Sequence, residues 1–231
     1  MLRVRIARID TLAAPGDDTV APAWLGVSER RRWEALARER RREFAAGRRV
    51  LRDTLALVTG RAAGEWDIDA EDGASPIVRG PTRVHASVSH RLGWVAAAVS
   101  DAPVGVDLEL ARPSRSDATA RAALMLGSTE LATWSALAPE RREAALLTAW
   151  TAKEAWFKAS PPHTTAWDFR QVVARACDPA DANVRVWEAP PLHVAACCTD
   201  SGELARVDCE GLETAAATST FWHVSRAGAP A

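Results

Sequence analysis

The chain has 231 residues, 48% of them hydrophobic and 26% charged, which suits one large globular domain or two small ones. Its 29 basic and 30 acidic residues nearly cancel, so no global field calls for nucleic acid or a membrane surface as partner. Cys177, Cys197, Cys198 and Cys209 form no CxxC pair and have no histidine at metal-ligand spacing, which reads as reduced thiols; with no membrane-length apolar run and no signal-peptide pattern, a cytoplasmic location is expected.

Leu2 to Ile9 alternates apolar residues with arginine, which predicts a half-buried strand. A Pro/Gly/Asp loop follows to about Ala23. From Ser28 to about Val58 apolar residues recur at helical spacing; Ser28 is the expected N-cap, and a break near Ala45–Gly47 would divide the stretch into two helices. After a Gly/Pro-rich loop come predicted strands at Val84–Val88, Trp94–Ser100 and Val104–Leu110. Helices are predicted at Asp117–Leu126, Ser128–Leu137 and Glu140–Ala159, the last stopped by Pro161 and Pro162. Strands at Val184–Trp187, His193–Cys198, Leu204–Cys209 and Phe221–Ser225 complete the chain. Strand, helices and paired strands, twice over, predict an α+β fold of two related halves meeting near Pro103, an N-terminal unit over residues 1–103 and a C-terminal unit over 104–231. Such a chain is a dimer within itself, so a monomer is expected.

Of the 29 basic residues only two are lysines, Lys153 and Lys158. Where arginine is the default cation, two lysines on one short helix suggest a site that needs a compact ammonium, for phosphate or for proton transfer. On a helix Glu154 and Lys158 are i, i+4 neighbours, which reads equally as a simple stabilising pair. In Gly105-Val-Asp107-Leu-Glu109 the two carboxylates share one strand face. They repel unless a cation lies between them, and hard oxygens on a rigid strand suit Mg²⁺; the plainer reading is an edge strand facing solvent. Ser87-Val-Ser89-His90-Arg91 puts hydroxyls, an imidazole and a guanidinium at a strand end, a phosphate cradle or an ordinary polar turn. Along the Arg-rich helix most arginines alternate with glutamate. After Glu43 the acids stop until Asp53, which leaves Arg48, Arg49 and Arg52 as the better anion-binding candidates.

In order and content these four segments resemble the Sfp-type 4′-phosphopantetheinyl transferases. The motifs are Gly47-Arg48…Arg52, Ser89-His90, Val104-Gly-Val-Asp107-Leu-Glu109 and Trp150-Thr-Ala-Lys153-Glu154-Ala-Trp-Phe-Lys158, and the resemblance runs from about Arg40 to Ala159. It implies two α+β subdomains related by a pseudo-two-fold axis, with the active site at their interface. It also implies transfer of the phosphopantetheine arm of coenzyme A to a serine of an apo acyl or peptidyl carrier protein, releasing 3′,5′-ADP. Asp107, Glu109 and Glu154 would hold Mg²⁺, with Mn²⁺ as the other ion open. His90 and Arg48 would contact CoA phosphates, with Ser89, Arg52 and Lys158 also on the cofactor side. Glu154 or Lys158 would assist deprotonation of the carrier serine. Glu130 is a second-tier acidic candidate, and the role of Lys153 is open. The chain departs from the pattern at Gly73-Ala-Ser75-Pro76, where Gly-Lys-Pro is usual, at Arg91, where serine is usual, and at Ser160-Pro-Pro-His163-Thr-Thr, where a Gly-rich loop is usual. Two other readings are a family member that binds CoA or carrier without turnover, and a nucleic-acid-binding module built on the Arg-rich helix. The interleaved glutamates and the balanced charge oppose the second.

Overall fold

Alternation at the N-terminus makes the first strand, β1 (Leu2–Arg8), with Leu2, Val4 and Ile6 buried. It leads into a short α1 (Ile9–Leu12), then α2 (Val27–Ala35) and the long α3 (Arg38–Thr59). A small hairpin of β2 (Asp67–Asp69) and β3 (Ile77–Arg79) precedes β4 (His85–Arg91), β5 (Trp94–Ser100) and β6 (Val104–Leu110). The second half continues with α4 (Ala118–Met125), α5 (Ser128–Ser135), α6 (Pro139–Ala159), β7 (Val172–Ala176), β8 (Val184–Ala189), β9 (Leu192–Cys198), α7 (Ser201–Arg206), β10 (Cys209–Glu210) and β11 (Thr218–Arg226). This computed structural model describes residues 1–12, 19–69, 75–111, 117–160, 168–212 and 217–228. Among the described residues no helix is long and apolar enough to cross a membrane.

The architecture is mixed α+β. One sheet has the order β10-β1-β5-β4 and the other β6-β9-β8-β11-β7. All pairings in the second sheet are antiparallel; in the first, only β1 and β10 run parallel. Each sheet has one face toward a long helix. Val95, Ala97 and Val99 of β5 pack with Val50, Leu51 and Leu55 of α3. Val184, Val186, Ala195 and Cys197 pack with Ala152 and Ala155 of α6. The opposite faces share one core, in which Val4, Ile6, Ala96 and Ala98 meet Val106, Leu108, Val194 and Ala196. The edge strands β4 and β6 come together at the seam, where the Val106 amide donates to Ser87 Oγ at 3.1 Å.

Two strands, β5 and β6, have the bounds the sequence predicts. Three features differ, each for a local reason. The helix break falls at Leu36–Ala37, and α3 runs through Gly47. Gly47 serves close packing instead, since a Cβ there would lie 3.2 Å from Val88 Cγ1. The N-cap of α2 is Gly26, whose amide donates to Glu29 at 2.9 Å, while Ser28 Oγ donates to Ile68 O. The predicted strand over Leu204–Cys209 is mostly α7, nucleated by Asp200, whose carboxylate accepts from the Glu203 amide; only Cys209 and Glu210 extend as strand. The alternation of Leu204, Val207 and Cys209 arises because one side of this helix and the strand after it face the same core. Among the cysteines, Cys197, Cys198 and Cys209 are buried and none of the four is in a disulfide.

Candidate active site

The seam is set by a glycine. Gly105, Asp107 and Glu109 lie on the face of β6 that α6 covers. A Cβ on Gly105 would stand 1.9 Å from the Ala155 carbonyl oxygen and 2.6 Å from the Ala159 nitrogen. Only a residue without a side chain lets the helix backbone come this close. The contact brings the last turns of α6, with Glu154 and Lys158, over Asp107 and Glu109.

Asp107 is buried, and its Oδ1 accepts from Lys158 Nζ at 2.7 Å and from Ser89 Oγ at 2.9 Å. Its Oδ2 is buried and accepts no hydrogen bond from the described residues. Lys158 therefore pairs across to the strand, not with Glu154 one turn below it. Glu109 is paired with Arg91, Nε to Oε2 at 3.0 Å. Burial raises the Glu154 carboxyl above its ordinary value, Asp107 and Glu109 raise it further, and Lys158 opposes them. Glu154 of α6 is thus coupled electrostatically to Asp107 and Glu109 in one negative cluster.

β4 contributes by alternation. Ser87, Ser89 and Arg91 share a face and meet Val106, Asp107 and Glu109. His90 points the other way, toward α3, with Nδ1 3.6 Å from Glu43 Oε2. Burial lowers its imidazole, Glu43 opposes this, and Arg40 and Lys158 add to the lowering. The β4–β5 turn has both of its residues at positive φ, Leu92 at 46° and Gly93 at 84°.

The arginines of α3 differ from expectation. Arg48 and Arg52 are buried, and both are ion-paired to buried Glu29 of α2. Arg52 also donates to the carbonyls of Ala63 at 2.7 Å and Trp66 at 2.9 Å. Arg49 pairs with Asp53 one turn on. The gap in acidic residues after Glu43 is thus filled from another helix, and Arg52 ties α2 and α3 to the loop after α3. Burial lowers the Arg48 guanidinium to about 10 despite Glu29, and it lies over the Phe44 ring.

The two lysines have different surroundings. Five residues on a helix turn through about 140° relative to one another, so Lys153 points away from the seam. It is fully buried and donates to Glu130 at 2.7 Å, Met125 O at 2.9 Å and Phe169 O at 3.2 Å. Glu130 in turn accepts from the Gly127 and Ala174 amides. Lys153 and Glu130 tie α4, α5, α6 and β7 together and do not join the carboxylate cluster. Breaking a buried, fully bonded pair is costly because the partner is left charged and unpaired. Lys153→Met is expected to lower unfolding free energy in urea by roughly 3–5 kcal/mol; a loss below about 1 kcal/mol, the range of surface pairs, would contradict that role.

One further polar row escapes sequence reasoning. Glu109, His193 and Glu188 are direct cross-strand neighbours on β6, β9 and β8. Thr148 of α6 lies above them, donating to Glu188 at 2.9 Å and standing 3.2 Å from His193 Nδ1. Only the strand register reveals it. Gly73 lies outside the described residues, as does all of the Ser160–Thr165 departure except Ser160.

Hard carboxylate oxygens, one of them unbonded, fit a divalent ion such as Mg²⁺. Among the described residues no three His, Cys, Asp or Glu side chains are grouped so as to hold a metal ion as they stand; Lys158 and Arg91 lie on two of the carboxylates.

Comparison with known proteins adds a likeness over part of the chain. Residues 103–196 match the model of the 4′-phosphopantetheinyl transferase superfamily. The 4′-phosphopantetheinyl transferase psf-1 of Bacillus pumilus is 29% identical over 136 residues, covering 59% of this chain and 55% of that protein. The 4′-phosphopantetheinyl transferase HetI of Nostoc sp. (strain PCC 7120) is 31% identical over 126 residues, 53% of each. The chain spans about half the length of these curated relatives. The crystal structure of Thermotoga maritima holo-[acyl-carrier-protein] synthase matches at a TM-score of 0.32 and 20% identity, over 49% of this chain and 77% of that one, a likeness too slight to carry an argument. The matched span holds Asp107, Glu109, Glu154 and Lys158, and over it the chain is similar to the 4′-phosphopantetheinyl transferase superfamily.

Proposed function

We propose that this chain transfers the 4′-phosphopantetheine arm of coenzyme A to a serine of an apo acyl or peptidyl carrier protein and releases 3′,5′-ADP. The observation that carries the reading is the convergence of Asp107, Glu109 and Glu154 with Lys158 at the seam between two sheets. Asp107 Oδ2, Glu109 and Glu154 would hold Mg²⁺ or Mn²⁺, which would neutralise the diphosphate charge during transfer. The serine oxygen attacks the phosphorus that bears the pantetheine arm, its bond to 3′,5′-ADP breaks, and the serine proton passes to a base. Glu154 is the base of choice, since a carboxylate raised by burial can accept the proton while Lys158 donates as an ammonium to Asp107. Lys158 presents an ammonium to the phosphate and keeps Asp107 in place. Ser89 stands beside Asp107 on one face of β4, and His90, on the α3 face, would meet a CoA phosphate. Arg48 and Arg52 hold the wall behind them through Glu29.

Two related subdomains, residues 1–103 and 104–231, belong to the same proposal. Support comes from a 22-residue helix over the first sheet and a 21-residue helix over the second. The short strand β10 crosses from the second half to pair with β1. The Arg-rich helix gives nucleic acid little to bind, since Arg40, Arg48, Arg49 and Arg52 all have acidic partners.

The test is incubation with CoA, Mg²⁺ and a panel of apo carrier proteins, followed by intact mass. One carrier gaining the phosphopantetheine mass is the expected result. Folded protein that modifies none, while still binding CoA, would replace this reading with binding alone.

A further inference from the structure

Two of the chain's own cations already lie on the carboxylates of the seam, Lys158 on Asp107 and Arg91 on Glu109. Counting these two pairs alone, the three carboxylates are at most one charge short of neutrality. Adding a divalent ion overshoots, so one cation gains by leaving. Lys158 is the poorer candidate. Its side chain is 26% exposed, and its helix is pinned to β6 at Gly105. Arg91 is 42% exposed and ends β4 at the two-residue turn with positive φ. A guanidinium on a long stem at a hairpin tip can swing, and its planar fork suits phosphate oxygens.

We propose that Arg91 is a further binding residue: it rests on Glu109 in the metal-free protein and passes to the diphosphate of the incoming co-substrate when a divalent ion takes its place. One cation then serves in turn as a stand-in for the metal and as a ligand for the substrate. The proposal rests on the transferase reading for the identity of that co-substrate, but its metal half does not.

The test compares wild type, Arg91→Ser and Arg91→Lys. Mn²⁺ binding without other ligands is followed by the electron paramagnetic resonance of the free ion, and CoA binding in excess Mn²⁺ by calorimetry, with no carrier present. Arg91→Ser should bind Mn²⁺ roughly three- to tenfold more tightly and CoA roughly three- to tenfold more weakly, the scale of a partly exposed ion pair. Arg91→Lys should fall between. Unchanged or weaker Mn²⁺ binding in Arg91→Ser would sink the proposal alone, as would tighter Mn²⁺ with unchanged CoA. Absence of CoA binding to the wild type would sink the transferase reading together with the transfer of Arg91 to substrate.

Discussion

Gly105→Ala is expected to cost roughly 3 kcal/mol or more of stability and to remove transfer activity. The reason is backbone, not side chain. The added Cβ would lie 1.9 Å from the Ala155 carbonyl oxygen and 2.6 Å from the Ala159 nitrogen, and neither atom can rotate away. Either α6 lifts from β6 or the strand shifts. Ala152, Ala155, Ala195 and Cys197 would then lose close packing. The same movement separates Asp107 and Glu109 from Glu154 and Lys158, and a displacement of about 1 Å can cost on the order of 100-fold in rate. Urea unfolding and the carrier-modification assay check both halves. A variant with wild-type stability and rate would show that the helix does not depend on this contact for its position.

The parts of this arrangement legible in the sequence are those governed by one element's own period. A two-residue repeat puts Asp107 and Glu109 on one face, and a helical repeat divides Lys153 from Lys158. The bounds of β5 and β6 follow from apolar runs closed by polar or proline punctuation. What was not legible depends on partners from distant segments. Glu29 neutralises Arg48 and Arg52 from another helix. Arg91 reaches Glu109 because two sheet edges meet, and Glu130 finds Lys153 through the packing of α5 on α6. Gly47 and Gly105 show the ambiguity in a single residue type. A glycine in a helical pattern reads as a break, yet Gly47 lies inside α3 where Val88 approaches, and Gly105 is the close contact on which the site depends.

Glu154→Gln is expected to make the metal-free protein more stable at neutral pH while lowering transfer by roughly 100-fold or more. Burial first, then Asp107 and Glu109, raise the Glu154 carboxyl in the folded protein. The folded chain therefore holds this proton more tightly than the unfolded chain does. Below the unfolded value, about 4.3, both states are protonated and the group is neutral in its effect. As pH rises through the window between the unfolded and the raised folded value, charging Glu154 costs stability, and the cost persists above it. Glutamine carries no charge at any pH. In chelator at pH 7.5 the variant should melt roughly 2–4 °C above wild type, the shift of about 1 kcal/mol in a chain of this size, and near pH 4 the gap should close. Millimolar Mg²⁺ should raise the wild-type Tm more than the variant's, because binding to the folded state stabilises by mass action. A variant that melts lower than wild type in chelator would mean that the carboxylate is a structural contact, and the negative cluster would then lose its claim to be held ready for a metal.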